Sequence, residues 1–346
     1  MKNKLFVFMG YPGCGKSSLA KKLAIKETDL YLSSDELREE MFGFRDQTHN
    51  KELFAELHRR AIEHASIGDT YIDATNLTRK DRLRTISQFS KLYELHLICV
   101  LRSIDELVAV NEDRRINSPT EYIPDEIFKT ILGRFQLPTY DEGWEKIDYY
   151  FITTNFSPLE SYFDYKCRED IAHDNPHHPE TVKEHINYLL ECCEKLNKSE
   201  ELKFISNYHD NGKFYVKLYN GEKGYSQFLG HAAVSAYIYL INRATEHMYI
   251  NHDIFGFIAN LHETIDTNKF ITEYYGIYYH DLPYTLYDVD SLYHSLSKPS
   301  KPIKYMYRRA NCKDDSVFKL AELLLEFNEI DRMREGDEDA GKTSTS

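Results

Sequence analysis

The stretch FMGYPGCGKSSLAKKL, residues 8–23, lies almost at the start of the 346-residue chain. It contains the pattern Gly10-x-x-x-x-Gly15-Lys16-Ser17, with an apolar run before it and a helical pattern after it. Backbone N–H groups of such a loop bind phosphate oxygens, the lysine contacts the β- and γ-phosphates, and the serine binds Mg²⁺. The stretch therefore predicts a site for ATP, or for GTP or another NTP, formed by Gly10, Gly13, Gly15, Lys16, Ser17 and Ser18.

Short apolar runs alternate with helical patterns from residue 1 to about 155. We predict strands at LFVFM, DLYLSS, TYIDAT, LHLICVL and DYYFITT, and helices at 16–26, 51–67, 79–92 and 104–116. This alternation indicates an α/β domain, a parallel sheet with helices on both faces. Apolar residues at helical spacing from about 170 to 332 predict an all-α second domain. We expect domains at 1–156 and 170–335, and a disordered tail at 336–346.

Composition restricts the classes of function. The formal net charge of −13 argues against a protein that coats nucleic acid duplexes, although an enzyme can still hold a strand end in a local basic pocket. No apolar run approaches the roughly 18 residues of a membrane span, and the N-terminus lacks the features of a signal peptide. The six cysteines show no metal-site spacing. We expect a cytoplasmic enzyme with reduced thiols and no membrane partner.

Polar residues follow the second and third predicted strands. In SSDELREEMFG, Asp35 and Arg38 lie three residues apart at a strand-to-helix turn. Asp35 is either a helix N-cap or a general base for an acceptor hydroxyl that attacks the γ-phosphate, and Arg38 would then bind an acceptor anion. In YIDATNLTRKDR, Asp73 is a candidate to hold Mg²⁺ through water, and Thr75 and Asn76 are candidates for acceptor contact. Strand ends on this side of a parallel sheet converge on one crevice.

Two arginines leave the last predicted helix of this domain. NEDRRINSPTEYIP places Arg114 and Arg115 just before a loop that contains prolines. The pattern is typical of a lid that brings a fixed cation to the transferring phosphoryl group, but a solvated basic helix end would look the same. Arg102 and Arg134 are weaker candidates for this role.

The motifs GYPGCGKSS, SSDELR, YIDATN and NEDRR…YIP, in this order, resemble the 5′-hydroxyl polynucleotide kinases of the phage and bacterial end-healing type. The resemblance covers roughly residues 4–155. It implies Asp35 as general base, Arg38 as ligand of the acceptor phosphate and one lid arginine that stabilises the transition state. Spacing leaves Arg114 and Arg115 equally eligible. Small-molecule kinases share the phosphate loop, so the substrate class stays open.

The second half of the chain contains a series of histidines. His209 and Asp210 are adjacent at the end of an apolar helix, in ISNYHDNGK. An imidazole and a carboxylate delivered to one point suit a divalent ion such as Mn²⁺, Zn²⁺, Ni²⁺ or Fe²⁺. Single histidines are more often core or surface residues than ligands. The other members of the series are His185, His231 and His262, with Asp331 near the end.

The order His185…His209-Asp210…His231…His262…Asp331 resembles the HD-domain metal-dependent phosphohydrolases, with HDNGK and GHAA as the most specific pieces. The resemblance covers about 173–335. It implies His185, His209, Asp210 and Asp331 as metal ligands, His231 and His262 as ligands of a second metal or phosphate, and Lys213 near the scissile phosphate. Asp266 is an alternative to Asp331. The Tyr-rich segment 270–300, which contains His280-Asp281, has no predicted element.

The two resemblances together predict an enzyme that heals RNA or DNA strand ends. The kinase would add a 5′-phosphate, the HD domain would remove a 2′,3′-cyclic phosphate or 3′-phosphate, and a separate RNA ligase could then use both ends. Two alternatives remain open. One is a small-molecule kinase, for a nucleoside or metabolite, fused to an HD nucleotidase. The other is a nucleotide-binding switch with a non-catalytic HD module.

Overall fold

The structure is a computed structural model. It describes residues 2–43, 48–152, 163–174, 179–248, 257–258, 267–310, 312 and 315–333. The chain forms two compact units, Met1–Tyr162 with Ile241–Thr264, and Phe163–Leu240 with Ile265–Ser346. The segment 241–264, which the predicted boundaries assign to the second domain, thus groups with the first unit.

A six-stranded sheet forms the centre of the first unit, in the order β2-β3-β1-β4-β5-β8. Strands β1 to β5 are parallel to one another. The segments that connect them cross over the sheet, so that each strand starts at the same end of it. β8 pairs antiparallel with β5 and explains why its segment belongs to this unit. The strands are β1 Lys4–Met9, β2 Leu30–Ser33, β3 Thr70–Asp73, β4 Glu94–Leu101, β5 Lys146–Phe151 and β8 Phe257–Ile258.

The predicted parallel sheet with flanking helices is confirmed. β1 and β4 are almost entirely buried, as strands covered on both faces must be. Side-chain caps begin several helices: the hydroxyls of Ser33, Thr78 and Ser103 accept hydrogen bonds from the backbone three residues on. The helices are α1 Lys16–Leu23, α2 Ser34–Phe42, α3 Asn50–His64, α4 Arg79–Phe89, α5 Ile104–Asn117 and α6 Asp125–Leu132.

The second unit is mainly helical. It departs from the all-α prediction by a hairpin, β6 Leu218–Asn220 and β7 Tyr225–Gln227, which pairs antiparallel across the turn at 221–224. The Tyr-rich segment without a predicted element contains two of the helices, α11 and α12. The helices are α7 Val182–Lys195, α8 Glu200–Tyr208, α9 Lys213–Val216, α10 His231–Met248, α11 Thr267–Tyr278, α12 Val289–Leu296, α13 Ile303–Arg309 and α14 Ser316–Asp331. The part of α10 from Ile241 onward groups with the first unit.

Apolar faces of α7, α8, α11 and α14 pack together in the core of this unit, where Ile186, Ile205, Ile277 and Leu324 are fully buried. Within the described ranges, no helix combines the length and the apolar character needed to cross a membrane.

Candidate functional sites

The phosphate loop joins β1 to α1, as the sequence predicts. Gly15 has φ +96°, and a Cβ there would lie 2.9 Å from Ile152 Cδ1, so only glycine suits the start of α1. Lys16 is buried, and its ammonium donates to the Tyr11 carbonyl at 2.8 Å. Arg102 Nη1 donates to the Gly13 carbonyl at 2.9 Å, which gives this arginine a role in fixing the loop. Ser17 and Ser18 are exposed at the first turn of α1.

Asp35 and Arg38 face the same cavity as the phosphate loop. Ser33, and not Ser34 or Asp35, caps α2, so the Asp35 carboxylate is not used as a cap. Arg38 is buried and donates to Asp35 Oδ1 at 2.8 Å and to Asn50 Oδ1 at 2.9 Å. This fixes the guanidinium while Asp35 keeps 62% of its side chain exposed. The pair therefore presents a free carboxylate edge and a cation toward one volume.

The cavity has a volume of about 1100 Å³. Asp73 closes its wall at the end of β3 and accepts a hydrogen bond from the Tyr31 hydroxyl at 2.9 Å. Asn76 adopts a left-handed conformation, with φ 45°, and donates to the Phe8 carbonyl at 2.8 Å. The predicted residues that line the cavity are Gly13, Lys16, Ser17, Asp35, Arg38, Asp73, Thr75, Asn76 and Arg114.

The two lid arginines point in different directions. Arg114 lines the cavity, and its Nη1 would lie 4.0 Å from a Cβ built on Gly13 of the phosphate loop. Its Nε lies 3.6 Å from Glu121 Oε2. Arg115 instead pairs with Glu112 at 2.8 Å, and 59% of its side chain is exposed. Of the two candidates, only Arg114 lies beside the phosphate loop.

The second unit contains a cavity of about 400 Å³ at the ends of α7, α8 and α14. His185 Nε2 lies 3.0 Å from Asp331 Oδ1 and 3.4 Å from His209 Nε2. His209 Nε2 lies 3.3 Å from Asp210 Oδ2. Residues separated by up to 146 positions in sequence therefore meet at one buried point. The four predicted ligands His185, His209, Asp210 and Asp331 all line this cavity.

A second cluster shares Asp210 with the first. His231 Nε2 lies 3.4 Å from Asp210 Oδ1 and 3.1 Å from His280 Nε2. His280 in turn lies 3.2 Å from Asp281 Oδ1. Two groups, His185–His209–Asp210 and Asp210–His231–His280, each place their ligand atoms within 4.8 Å of one another. His280 thus stands where the sequence analysis expected His262, which lies outside the described residues.

Three of the histidine rings in this cavity are held in the same manner, through Nδ1. Nδ1 of His209, His231 and His280 donates to the carbonyls of Ser206, Phe228 and Ile277, at 2.9, 3.0 and 2.7 Å. This leaves Nε2 of each ring directed toward the carboxylates. Metal-binding histidines characteristically donate their other ring N–H to an oxygen in this manner. Asp210 Oδ2 is buried without a hydrogen bond of good geometry. The donor set fits a divalent ion of the Mn²⁺, Fe²⁺, Ni²⁺ or Zn²⁺ kind.

Electrostatics keep the carboxylates of this cavity ionised. Burial alone would raise the pKa of Asp210, but His209 and Lys213 hold that pKa well below its usual value. Burial also opposes ionisation of Asp331. The hydrogen bond between His185 and Asp331 outweighs this effect of burial and lowers the pKa of Asp331.

Burial lowers the pKa of His231 to about 4, so this imidazole is neutral and can offer a lone pair. Burial alone would lower the pKa of His185 and of His280, but the carboxylates of Asp331 and Asp281, respectively, raise it to about 9. Charged carboxylates and neutral imidazoles are the forms that bind metal ions, so a metal bound here would displace the protons of His185 and His280.

Lys213 completes the cavity. Its ammonium lies 2.7 Å from Asp210 Oδ2 and 3.1 Å from His173 Nε2. Because an ammonium only donates, His173 accepts at Nε2, and its Nδ1–H donates to the Glu180 carbonyl at 2.8 Å. The sequence analysis gave no role to His173, which is buried and lines the cavity. A fixed cation beside the carboxylates is placed to contact a phosphoryl oxygen.

His280 and His173 are the site residues that sequence reasoning missed. His280 lies two residues after the end of α11 and forms an adjacent His-Asp pair with Asp281, which is the signal that could have identified it. His173 precedes α7 and carries the same signal, since it forms an adjacent His-Asp pair with Asp174.

Comparison with known proteins supports the description of the first unit. Residues 5–138 match a protein-family model described as the AAA domain. Over 147 residues, 42% of this chain and 33% of the relative, the sequence is 26% identical to the bifunctional polynucleotide phosphatase/kinase of Schizosaccharomyces pombe. The chain therefore spans about a third of the length of this curated relative. The first unit is therefore similar to P-loop kinase domains, and this similarity implies ATP and Mg²⁺ as its ligands.

Solved structures with similarity to the chain include the Pnkp1/Rnl/Hen1 RNA repair complex, at 19% identity and a TM-score of 0.35, covering 39% of this chain and 44% of the other. Another is Kti12 of Chaetomium thermophilum in complex with ADP-AlF3, at 15% identity and a TM-score of 0.35, covering 45% of this chain and 93% of the other. The family model ends at residue 138, so the function of the second unit is argued from its own geometry.

Proposed function

We propose that this protein is a bifunctional nucleic-acid end-healing enzyme. Its first unit transfers the γ-phosphate of ATP to the 5′-hydroxyl of an RNA or DNA strand. Its second unit removes a 2′,3′-cyclic phosphate or 3′-phosphate with a divalent metal. The observation that carries the proposal is that one chain contains two cavities. One is a P-loop kinase cavity with Asp35 and Arg38, and in the other four histidines and two aspartates form a donor set that fits metal ions.

In the kinase cavity, Lys16 and the loop N–H groups bind the phosphates, and Ser17 and Asp73 face the Mg²⁺ position. Asp35 accepts the proton of the acceptor hydroxyl, since its carboxylate edge is free. Arg38, held by Asp35 and Asn50, binds the acceptor phosphate. Arg114 contacts the transferring phosphoryl group, where negative charge develops. All of the side chains named here line one cavity.

In the second unit, His185, His209, Asp210 and Asp331 would hold one metal ion, and His231 and His280 with Asp210 would hold another. Such an ion supplies Lewis-acid polarisation of a phosphoryl oxygen and a bound water of lowered pKa. Lys213 binds a non-bridging phosphoryl oxygen and offsets its charge. His173 holds the ammonium in position through the 3.1 Å contact.

The charge of the kinase cavity favours a strand over a compact metabolite. The cavity of about 1100 Å³ includes the phosphate loop, so it accommodates both ATP and the acceptor. Arg84 and Arg134 line it in addition to Arg38, although the chain as a whole is acidic. A polynucleotide offers further phosphates for Arg84 and Arg134 to bind, whereas a small alcohol offers none.

The test is end labelling. Purified protein with Mg²⁺ and γ-labelled ATP should label 5′-hydroxyl oligonucleotides of RNA or DNA. With Mn²⁺, Ni²⁺, Zn²⁺ or Fe²⁺ it should release phosphate from a 3′-phosphorylated strand, or open and remove a 2′,3′-cyclic phosphate. Phosphorylation of nucleosides or metabolites without labelling of any oligonucleotide would support a small-molecule kinase instead and would contradict the proposal.

Single substitutions should separate the two activities. We expect Lys16→Ala and Asp35→Ala each to lower phosphate transfer by at least about 10²-fold, because a phosphate ligand or the base is lost, and to spare 3′-end removal. His209→Ala and Asp210→Ala should do the reverse. Glu36→Ala, next to Asp35 but paired with Lys21 at the surface, is the matched control and should retain both activities. Loss of transfer in Glu36→Ala equal to that in Asp35→Ala would contradict the assignment.

A further inference from the structure

Tyrosines paired with cations line the mouth of the His–Asp cavity in the second unit. Tyr284 and Tyr225 line the cavity on two sides. The guanidinium carbon of Arg332 lies 5.1 Å from the ring centre of Tyr284 and 5.6 Å from that of Tyr287. Lys223 Nζ lies 5.8 Å from the ring centre of Tyr225. We call Tyr225, Tyr284, Tyr287 and Arg332 the mouth cluster.

These rings are not core residues. Tyr287 is 69% exposed and Tyr284 37% exposed, and among the described aromatic residues of this unit only Tyr219 and Phe318 are also exposed. Leu229, which also lines the cavity, is 72% exposed. Exposed aromatic and aliphatic groups that surround a polar cavity are typical of a binding site, because their burial by a ligand is favourable.

The mouth cluster lies next to a proposed metal ligand, Asp331. Arg332 follows Asp331 at the end of α14, and the Tyr284 hydroxyl donates a hydrogen bond to Asp331 Oδ2. A phosphate bound beside Asp210, Asp331 and Lys213 would therefore carry its organic substituent out through the rings of this cluster. A phosphate ester without a flat apolar group would leave these rings unused.

We propose that the mouth cluster binds the nucleoside that carries the scissile phosphate. The base stacks on a tyrosine ring or on the guanidinium plane of Arg332, and the cations face the phosphodiester on its 5′ side. Stacking on aromatic rings is independent of base identity, since every base has a π-face. This inference rests on the proposed phosphohydrolase activity and assigns named residues to binding the terminal nucleoside of its substrate.

Binding tests the inference without any turnover. Full-length protein with Arg38→Ala, which removes the acceptor-phosphate ligand of the kinase unit, is titrated calorimetrically with adenosine 3′-monophosphate and with the matched abasic ribose 3-phosphate. Both titrations are run in EDTA and without ATP, so that neither ligand is hydrolysed. We expect the base to improve affinity by about tenfold, the lower part of the range for one stacked base.

The substitutions Arg332→Ala and Tyr287→Ala in this background should each reduce that preference for the base severalfold. Tyr219→Ala is the matched control, because Tyr219 is also exposed, by 71%, whereas Tyr287 and not Tyr219 lies against Arg332 beside the cavity-lining Tyr284. Equal affinity for the two ligands, binding of neither, or a preference that Arg332→Ala and Tyr287→Ala leave intact would overturn the inference.

Hydrolysis of the same two compounds separates this inference from the proposed activity. With Mn²⁺ or Ni²⁺, kcat/KM for adenosine 3′-monophosphate should exceed that for the abasic compound by a similar factor, and Arg332→Ala should reduce the ratio. A protein that hydrolyses neither compound but prefers the base in binding would refute the phosphohydrolase while supporting the mouth cluster. Hydrolysis of both with a ratio near one would refute only the mouth cluster.

Discussion

At the scale of single residues, orientation decides which of two neighbouring arginines acts in phosphate transfer. Arg114 and Arg115 are equivalent in the sequence, but a helix turns about 100° between adjacent residues and sends their side chains to different sides. Arg114 lies beside Gly13, and Arg115 is paired with Glu112 at the surface.

We therefore expect Arg114→Ala to lower kcat for phosphate transfer by about 10²–10³-fold, the usual effect of removing one fixed group that stabilises developing charge. Arg115→Ala is the matched control and should stay within about twofold of the unmodified protein. Steady-state kinetics with a 5′-hydroxyl oligonucleotide measure both. A larger loss in Arg115→Ala than in Arg114→Ala would show that the lid adopts a different arrangement during transfer.

His280 gives the second prediction at this scale. If His231, His280 and Asp210 hold an ion of their own, nucleotide-free protein should bind about two Ni²⁺ per chain, and His280→Ala should bind about one. His294→Ala, which replaces an exposed histidine outside the cavity, should retain two. Metal analysis after dialysis measures the stoichiometry. Loss of an ion in His262→Ala but not in His280→Ala would contradict this assignment and support His262 as the ligand, as the sequence analysis expected.

Sequence reasoning identified site residues where spacing alone brings them together. Asp35 and Arg38 are three residues apart on one helix, and His209 and Asp210 are adjacent, so their proximity is local. His280 lies 49 residues from His231, and its position depends on where α11 ends. The sequence analysis assigned no helix there, although Phe270, Tyr274 and Tyr278 recur every four residues, as on one face of a helix.

At the scale of elements, a buried ion pair joins α4 to the turn before β5. Arg82 and Glu142 are both fully buried, with Nη2 2.7 Å from Oε1. Arg82 Nη1 also donates to the carbonyls of Asn76 and Leu77, at 3.2 and 3.0 Å. The pair therefore fixes the backbone that carries Asn76 into the kinase cavity.

Removing one partner leaves a buried charge without compensation. We expect Glu142→Gln to lower the free energy of unfolding of this unit by about 3–5 kcal/mol. Trp144, the single tryptophan of the chain, donates to Glu142 Oε2 at 3.0 Å and reports the change by fluorescence during urea unfolding. Glu63→Gln, in the exposed pair with Arg59, should give no measurable change. Equal stability of Glu142→Gln and the unmodified protein would contradict a structural role for the pair.

Sequence patterns were sufficient to predict the five parallel strands but not the three shortest strands. The five parallel strands were predicted because each is a short apolar run followed by a helical pattern. β6 and β7 have three residues each and β8 has two, so none is long enough to show an alternating pattern. The place of β8 beside β5 is a tertiary contact across more than 100 residues, which local sequence does not encode.

At the scale of the whole molecule, we propose opposite reactions for the two units of one chain. Addition of phosphate and removal of phosphate would cancel if both acted on one group. They are complementary when the two groups are the 5′ and 3′ ends of a strand, and the residues of the two sites are disjoint. Each reaction should therefore be lost without the other.

The most direct measurement uses one RNA strand that has a 5′-hydroxyl at one end and a 2′,3′-cyclic phosphate at the other. The account predicts that the unmodified protein, with ATP, Mg²⁺ and Mn²⁺ or Ni²⁺, converts both ends. Asp35→Ala should convert only the 3′ end, His209→Ala only the 5′ end, and a mixture of the two variants both. Failure of the unmodified protein at both ends, or loss of both reactions in one variant that keeps its native Trp144 fluorescence, would contradict the central claim.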